Sequence, residues 1–91
     1  MISLETPHDM AASAARRFRT LRKQKKITIK ALSEASGVPY STIRRFESSG
    51  EISFVALVKL ASAIGEDREI QKLFKDVVPG SIEELIRGNH R

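Results

Sequence analysis

The sequence predicts an all-α protein of five helices, followed by a short extra helix at its C-terminal end. Apolar residues recur at helical spacing along the chain, and no segment shows the strict alternation of a half-buried strand. Residues that cap or stop helices separate these segments, namely Thr28, Gly37, Ser53 and Gly65. A chain of 91 residues with 41% hydrophobic content can form one compact core. We therefore expect a flexible N-terminal tail over 1–8, a helical domain over 9–66 and a helical extension over 67–91.

Composition excludes several classes of function. The chain has no cysteine, and His8 and His90 lie near opposite ends, so neither a disulfide nor a metal site is expected. No apolar run approaches the ~20 residues of a membrane span, and MISLETPHDM lacks the pattern of a signal peptide. These features predict a cytoplasmic protein. No nucleophile–base pair or Gly-rich phosphate loop is present, so we expect no enzyme activity, no catalytic residue and no cofactor.

Positive charge is concentrated in the first half of the chain. Residues 1–50 contain ten Lys and Arg against four Asp and Glu, whereas residues 51–91 contain six against seven. Many of the basic residues lie in or just after the first helix, namely Arg16, Arg17, Arg19, Arg22, Lys23, Lys25 and Lys26. We place this helix from Asp9, as N-cap, to Lys25, with a buried face of Ala14, Phe18 and Leu21. The cluster is either a solvated face or a phosphate-binding surface.

Two short helices are predicted next, joined by a tight turn. Thr28 caps the second helix, which runs to Ser36 and buries a stripe of Ala31, Leu32 and Ala35. Gly37 ends this helix because glycine adopts positive φ without a steric penalty. Val38 is expected to fill the core from the turn.

The third helix is predicted from Pro39, at its first position, to Ser48. Ile43 and Phe46 face inward in this helix. The outward positions carry Tyr40, Ser41, Arg44 and Arg45. Two short helices of this kind, with arginines on the second, are the layout of a DNA-binding helix-turn-helix, whose second helix lies in the major groove.

The remaining helices are more apolar. Ser53 caps a fourth helix whose apolar content predicts burial on more than one side, and Gly65 stops it. A fifth helix is predicted over 67–75, and the pair Ser81 and Glu84 forms a capping box for the sixth. Apolar residues of the extension that are candidates for a dimer or partner surface are Ile70, Leu73, Phe74, Ile82, Leu85 and Ile86. They form either such a surface or the bottom of the core.

The segment from Thr28 to Glu47, followed by SSGEISFVALVKLASAIG, resembles the Xre/Cro-type helix-turn-helix regulators of bacteria and phages. The resemblance covers roughly residues 13–66. Its motifs are Leu32, Gly37-Val38, Ser41-Thr42-Ile43, Arg45-Phe46-Glu47 and the stretch LVKLASAIG. It implies a five-helix lambda-repressor-like fold with a helix-turn-helix DNA-binding domain over 9–66, acting as a homodimer on a palindromic operator. Two recognition helices would then enter successive major grooves about 34 Å apart.

The resemblance also implies which residues contact DNA. Base-reading positions of the family fall at Tyr40, Ser41, Arg44 and Arg45. Arg45 is either a bidentate guanine reader, providing about 1–3 kcal/mol of discrimination, or a phosphate clamp, and the phosphate role is favoured for Arg44. Phosphate-binding positions fall at Thr28, Lys30, Thr42, Ser48 and Ser49. Ser48 and Ser49 have the alternative of being loop serines that hydrogen-bond to water.

Two further features follow from the family pattern. Arg22 and Glu47 match positions that form a structural ion pair in several members, fixing the angle between the first and third helices. Ile29 stands where the family usually has a phosphate-binding Gln, and Pro39 stands where it usually has a Ser or Thr cap. One phosphate contact and one cap interaction of the family are therefore not expected here.

A narrower resemblance concerns RFESSGEIS, residues 45–53, together with SIEELIR, residues 81–87. These segments look like those of small HipB-like antitoxins that pair with HipA-type kinase toxins. The resemblance implies an autoregulating repressor, associated with the nucleoid through its operator, that also binds a toxin encoded next to it. The alternative is a helix-turn-helix protein whose main role is to bind a protein partner.

Overall fold

The computed structural model describes residues 4–75 and residue 86, and these residues form five helices and no strand. The helices are α1 (Pro7–Gln24), α2 (Ile29–Ser36), α3 (Tyr40–Ser49), α4 (Phe54–Ala63) and α5 (Asp67–Gln71). The predicted all-α fold with five helices is confirmed. The capping box predicted for a sixth helix, Ser81 and Glu84, lies outside the described residues. No helix in the described part of the chain has the length and apolarity to cross a membrane.

One core holds the helices together. Its buried side chains come from four helices and their connections, namely Ala15, Leu32, Val38, Ile43, Phe46, Leu60 and Ile64. Phe18 of α1 meets Phe46 of α3 edge to face, with ring centroids 5.4 Å apart. The helix α1 packs on α3, α2 packs on both α3 and α4, and α5 packs on α4. Of the two helices of the predicted DNA-binding motif, α3 is therefore packed against α1 and α2 against α4.

The start of α1 differs from the prediction. Thr6, not Asp9, is the N-cap, and Pro7 occupies the first turn. The Thr6 hydroxyl accepts the Asp9 backbone N–H at 3.0 Å, and the Asp9 carboxylate accepts the Thr6 backbone N–H at 3.1 Å. The hydrogen bond from the Thr6 backbone N–H, followed by the Thr6 hydroxyl, holds the pKa of the Asp9 carboxyl below its ordinary value of 3.8. Residues 7 and 8 thus belong to the helix rather than to the predicted tail.

The buried faces of α1 and α2 are rotated from the predicted ones. Ala14 is exposed and Ala15 is fully buried. The inward face of α1 therefore includes Ala15 and, two turns later, the buried Arg22. In α2 only Leu32 is buried, whereas Ala31 and Ala35 are exposed. The true inward face of α2 includes half-buried serines, whose polar side chains disguised it in the sequence.

The last two helices are less buried than expected. In α4, Leu60 and Ala61 are buried but Phe54 and Val55 are more than half exposed, so burial on several sides is wrong for its first turn. The helix α5 ends at Gln71 rather than at residue 75, and turns follow. Within those turns Phe74 is 89% exposed.

Candidate nucleic-acid interface

The turn between α2 and α3 is fixed by glycine geometry and by two serine hydroxyls. Gly37 takes φ 78°, which ends α2 in the left-handed conformation. The Ser33 hydroxyl donates to the Val38 carbonyl at 2.6 Å, and the Ser36 hydroxyl accepts the Val38 N–H at 3.1 Å. Because the backbone N–H and the carbonyl of Val38 both have hydrogen-bond partners, Val38 can bury its side chain, as predicted. The turn therefore sets the direction in which α3 leaves α2.

The two faces of α3 have separate tasks. Ile43 and Phe46 are buried, as predicted. The side chains predicted to read bases are all exposed on the other face, namely Tyr40, Ser41, Arg44 and Arg45. Pro39 is the N-cap rather than the first helical residue, and no side chain caps this end of the helix. The exposed face presents a phenol, a hydroxyl and two guanidinium groups, which are donors suited to base edges and phosphates.

A buried ion pair fixes α3 to α1. Arg22 donates from Nε to Glu47 Oε2 at 2.7 Å and from Nη2 to Oε1 at 2.9 Å, which is the bidentate geometry. Arg22 Nη1 also donates to the Ile27 carbonyl at 2.8 Å, which secures the connection to α2. The hydrogen bonds to Glu47 raise the pKa of Arg22 above its ordinary value. Among the described residues no buried side-chain nitrogen or oxygen lacks a partner. The pair thus holds three helices in one arrangement.

A polar groove of about 380 Å³ opens above this ion pair. Arg19, Ile29, Arg44 and Ser48 line it around the pair itself. Arg22 already compensates the charge of Glu47, and Arg19 Nε lies 4.0 Å from Glu47 Oε1. The groove therefore carries net positive charge from Arg19 and Arg44, beside the first turn of α2. Such a groove can accept an anion.

Arg19 is the residue of this groove that sequence reasoning missed. It was counted only within the basic cluster of the first helix, although it precedes Arg22 by three positions. That spacing places the two arginines on neighbouring positions of one helix face. The signal was thus present in the sequence, but it depended on knowing that Arg22 points inward.

The predicted phosphate contacts divide into two groups. Thr28 caps α2 by accepting the Ala31 N–H at 3.0 Å, which leaves its hydroxyl proton for another acceptor. Lys30 is exposed in the same turn, and Thr42 is half-buried in α3. Ser48 and Ser49 both donate to the Arg45 carbonyl, at 3.1 and 2.6 Å. Because each hydroxyl has one proton, neither serine has one to offer a phosphate in this arrangement.

Arg45 has an acidic neighbour that sequence reasoning did not single out. Its Nη2 lies 3.0 Å from Glu51 Oε2 and 3.3 Å from Oε1. Both side chains are largely exposed, at 70% for Arg45 and 47% for Glu51. The only hint in the sequence is that Glu51 follows the glycine that ends α3.

Of the residues predicted to form a dimer or partner surface, Ile70 lies on α5, which packs on α4 and not on α3. Leu73, Phe74 and Ile86 are exposed, Ile70 is half-buried, and Ile82 and Leu85 lie outside the described residues. An apolar groove of about 500 Å³ adjoins this region. Its lining includes Phe18, Phe54, Leu57 and Ile70. The groove also reaches Phe46 and Gly50 at the C-terminal end of α3, but none of the four exposed α3 side chains predicted to read bases lines it.

No cluster of three or more His, Cys, Asp or Glu side chains suited to a metal occurs within residues 4–75. The sequence profile of the helix-turn-helix family matches residues 18–71, from the second half of α1 through α5. No curated protein and no solved structure is similar enough to the chain to count as a match.

Proposed function

Because the chain belongs to the Xre/Cro-like helix-turn-helix family of DNA-binding regulators, we propose that it is a sequence-specific repressor. It acts as a homodimer on a palindromic operator, which holds it on the nucleoid in the cytoplasm. The observation that carries the proposal is the exposed face of α3, whose four polar side chains do not contribute to the core. The family is a DNA-binding one and is not typically enzymatic.

The exposed face of α3 divides its contacts between bases and backbone. Arg45 donates to O6 and N7 of guanine, while Tyr40 and Ser41 contact adjacent base edges from the first turn. Arg44 and Arg19 instead hold a phosphate in the groove above the buried ion pair, since both side chains line it. This assignment keeps base reading to three residues and adds Arg19 as a backbone contact.

The start of α2 supplies a second backbone contact. The unpaired N–H groups of its first turn and the helix dipole favour an anion, and Thr28 and Lys30 add a hydroxyl and an ammonium. Thr42 lies one position after Ser41 and is a weaker candidate because it is half-buried. Ser48 and Ser49 approach the backbone only if their hydroxyls leave the Arg45 carbonyl.

The dimer would form through the apolar residues that follow α5. Leu73, Phe74 and Ile86 are exposed, and exposed apolar side chains of this size are typical of a protein interface. A homodimer formed through α5 leaves the exposed faces of both α3 helices free for DNA.

Gel-shift titration of the protein tests this proposal, using its own upstream region and random DNA of equal length at two salt concentrations. We expect selective binding with a dimer-sized footprint that weakens steeply with salt. Arg45→Ala should reduce the preference by about 1–3 kcal/mol, whereas Lys30→Ala should weaken binding to all sequences and lower the salt slope by about one. Equal affinity of the unchanged protein for both DNAs would contradict the proposal.

A second role is proposed for the apolar groove beside that surface, which is lined by Phe18, Phe54 and Leu57 and which the proposed dimer contact does not use. An autoregulating antitoxin needs a protein-binding face that is separate from its DNA-binding face, and none of the side chains predicted to read bases lines this groove. The role predicts that the protein binds a HipA-type kinase encoded beside it and still shifts its operator. Size-exclusion chromatography of the two purified proteins tests it, and separate elution at micromolar concentration would count against the role. If operator binding is also absent, the results favour the alternative, in which the main role of the protein is to bind another protein partner.

A further inference from the structure

The connection after α3 holds an acidic side chain against a predicted base reader. Glu51 contacts only Nη2 of Arg45, at 3.0 and 3.3 Å. A guanidinium makes two parallel hydrogen bonds through Nε and Nη2 or through Nη1 and Nη2, and Nη2 carries two protons. Nε and Nη1 of Arg45 have no partner among the described residues. Glu51 therefore restrains the Arg45 side chain through one Nη2 proton, and the second Nη2 proton with a proton on Nε or Nη1 can still form two parallel hydrogen bonds.

The position of Glu51 is set by the backbone around it. Gly50 takes φ 84°, and a Cβ there would lie 2.6 Å from the Ala11 carbonyl carbon and 2.7 Å from its oxygen. The connection thus lies directly against the backbone of α1. Ser49 adds a second restraint, because its hydroxyl donates to the Arg45 carbonyl at 2.6 Å and accepts the Glu51 N–H at 3.1 Å. These contacts bring Glu51 back beside Arg45.

We propose that Glu51 is a positioning residue that directs Arg45 to a base rather than to a phosphate, an inference that rests on the proposed operator binding. A free arginine at a DNA surface is drawn first to the phosphates, which carry the charge and accept most hydrogen bonds. A carboxylate beside the guanidinium repels a phosphate. It repels O6 and N7 of guanine far less, because they are neutral acceptors. Glu51 therefore lowers affinity for DNA in general and raises the preference for one base.

The proposal predicts opposite effects on affinity and on preference. Glu51→Gln keeps the side-chain shape and removes the charge. We expect it to bind random duplex about threefold to tenfold more tightly, as one more unopposed cation allows. We also expect it to lose about fivefold or more of the preference at a single base pair in each half-site. A purely structural role for Glu51 would not move preference at one position.

The experiment is selection from a randomised duplex library with sequencing, performed on four proteins: the unchanged chain, Glu51→Gln, Arg45→Gln and the double variant. If Glu51 acts through Arg45, adding Glu51→Gln to Arg45→Gln leaves the base preference unchanged. A fifth protein, Glu34→Gln, is the matched control, since Glu34 is an exposed carboxylate on α2 that has no contact with Arg45 among the described residues. That variant should keep the preference at every position. Melting curves of all variants verify that each is folded.

The results separate the possible failures. Retained preference in Glu51→Gln, or a loss of equal size in the Arg45→Gln background, overturns the positioning role while sequence-specific binding stands. An unchanged protein that enriches no sequence overturns the proposed operator binding, and the positioning role fails with it.

Discussion

Two regions of this molecule differ in how far their side chains are buried and paired within a single chain. Around α2 and α3 the apolar side chains that face inward are covered, and the buried pair Arg22–Glu47 has bidentate geometry. Around α4 and α5 large apolar side chains such as Phe54 and Phe74 remain exposed within the described residues. The part of the molecule that carries the exposed face of α3 is therefore packed and paired within one chain, whereas the part around α4 and α5 leaves apolar side chains exposed. Four predictions test that contrast.

The largest effect is expected from breaking the buried pair. Glu47→Ala removes the partner of the buried Arg22 guanidinium and leaves its charge uncompensated, which should cost about 3–5 kcal/mol of unfolding free energy. Urea denaturation measures this loss. Glu69→Ala, in an exposed pair with Lys72, is the control and should cost less than about 1 kcal/mol. Similar losses of unfolding free energy in the two variants would mean that the buried pair stabilises the fold no more than an exposed pair does.

The second prediction compares two glycines with nearly the same backbone angle. Gly37 at φ 78° has no atom within 4 Å of an added Cβ, whereas at Gly50 that Cβ would overlap the backbone of Ala11. Gly37→Ala should cost about 1–2 kcal/mol from the left-handed conformation alone. Gly50→Ala should cost about 1–3 kcal/mol more, because α1 or the connection must shift. Equal costs from urea denaturation would show that the approach to α1 is easily relaxed.

The third prediction concerns the exposed end. Phe74→Ser should leave the stability of the monomer within about 0.5 kcal/mol, since the side chain is 89% exposed in the single chain. It should weaken dimerisation about tenfold or more if this surface is the interface. Sedimentation equilibrium measures the dimer dissociation constant, and Lys75→Ser serves as an exposed control in the same turns. Unchanged dimerisation would move the interface elsewhere.

The smallest effect is expected at the start of α1. The pKa of Asp9 is lowered in the folded chain by its hydrogen bond from the Thr6 N–H, so its contribution is present above the ordinary value of 3.8. This contribution is lost as the pH falls through the lower, folded value. Melting temperature recorded between pH 6 and strongly acidic pH should therefore fall less steeply in Asp9→Asn. Parallel curves for the two proteins would exclude a contribution from this cap.

Sequence reasoning succeeded where one residue type has one local role. Thr28 and Ser53 cap their helices because their hydroxyls accept a backbone N–H group three residues on. Gly37 ends α2 because glycine adopts positive φ without a steric penalty. It failed where a polar side chain faces inward. The serines of α2 disguised its buried face, since Ser33 and Ser36 serve the Val38 peptide rather than solvent.

The candidate site was predicted only in part for a related reason. The exposure of Tyr40, Arg44 and Arg45 follows from helical spacing, which the sequence contains. The contact of Arg45 with Glu51 does not, because it depends on the path of the connection past Gly50 and on how the arginine side chain turns. The role of Arg19 in the polar groove likewise required the position of Arg22.

The division of α3 into two faces has a consequence for retargeting. No residue of the exposed face belongs to the core, so Tyr40, Ser41 and Arg45 can be exchanged for the corresponding side chains of another regulator without refilling the interior. The exchange has to extend one residue past Gly50, however. A transplanted helix that meets Glu51 in place of its original neighbour would have the correct base-contacting residues, but an arginine at position 45 would be held in a different orientation.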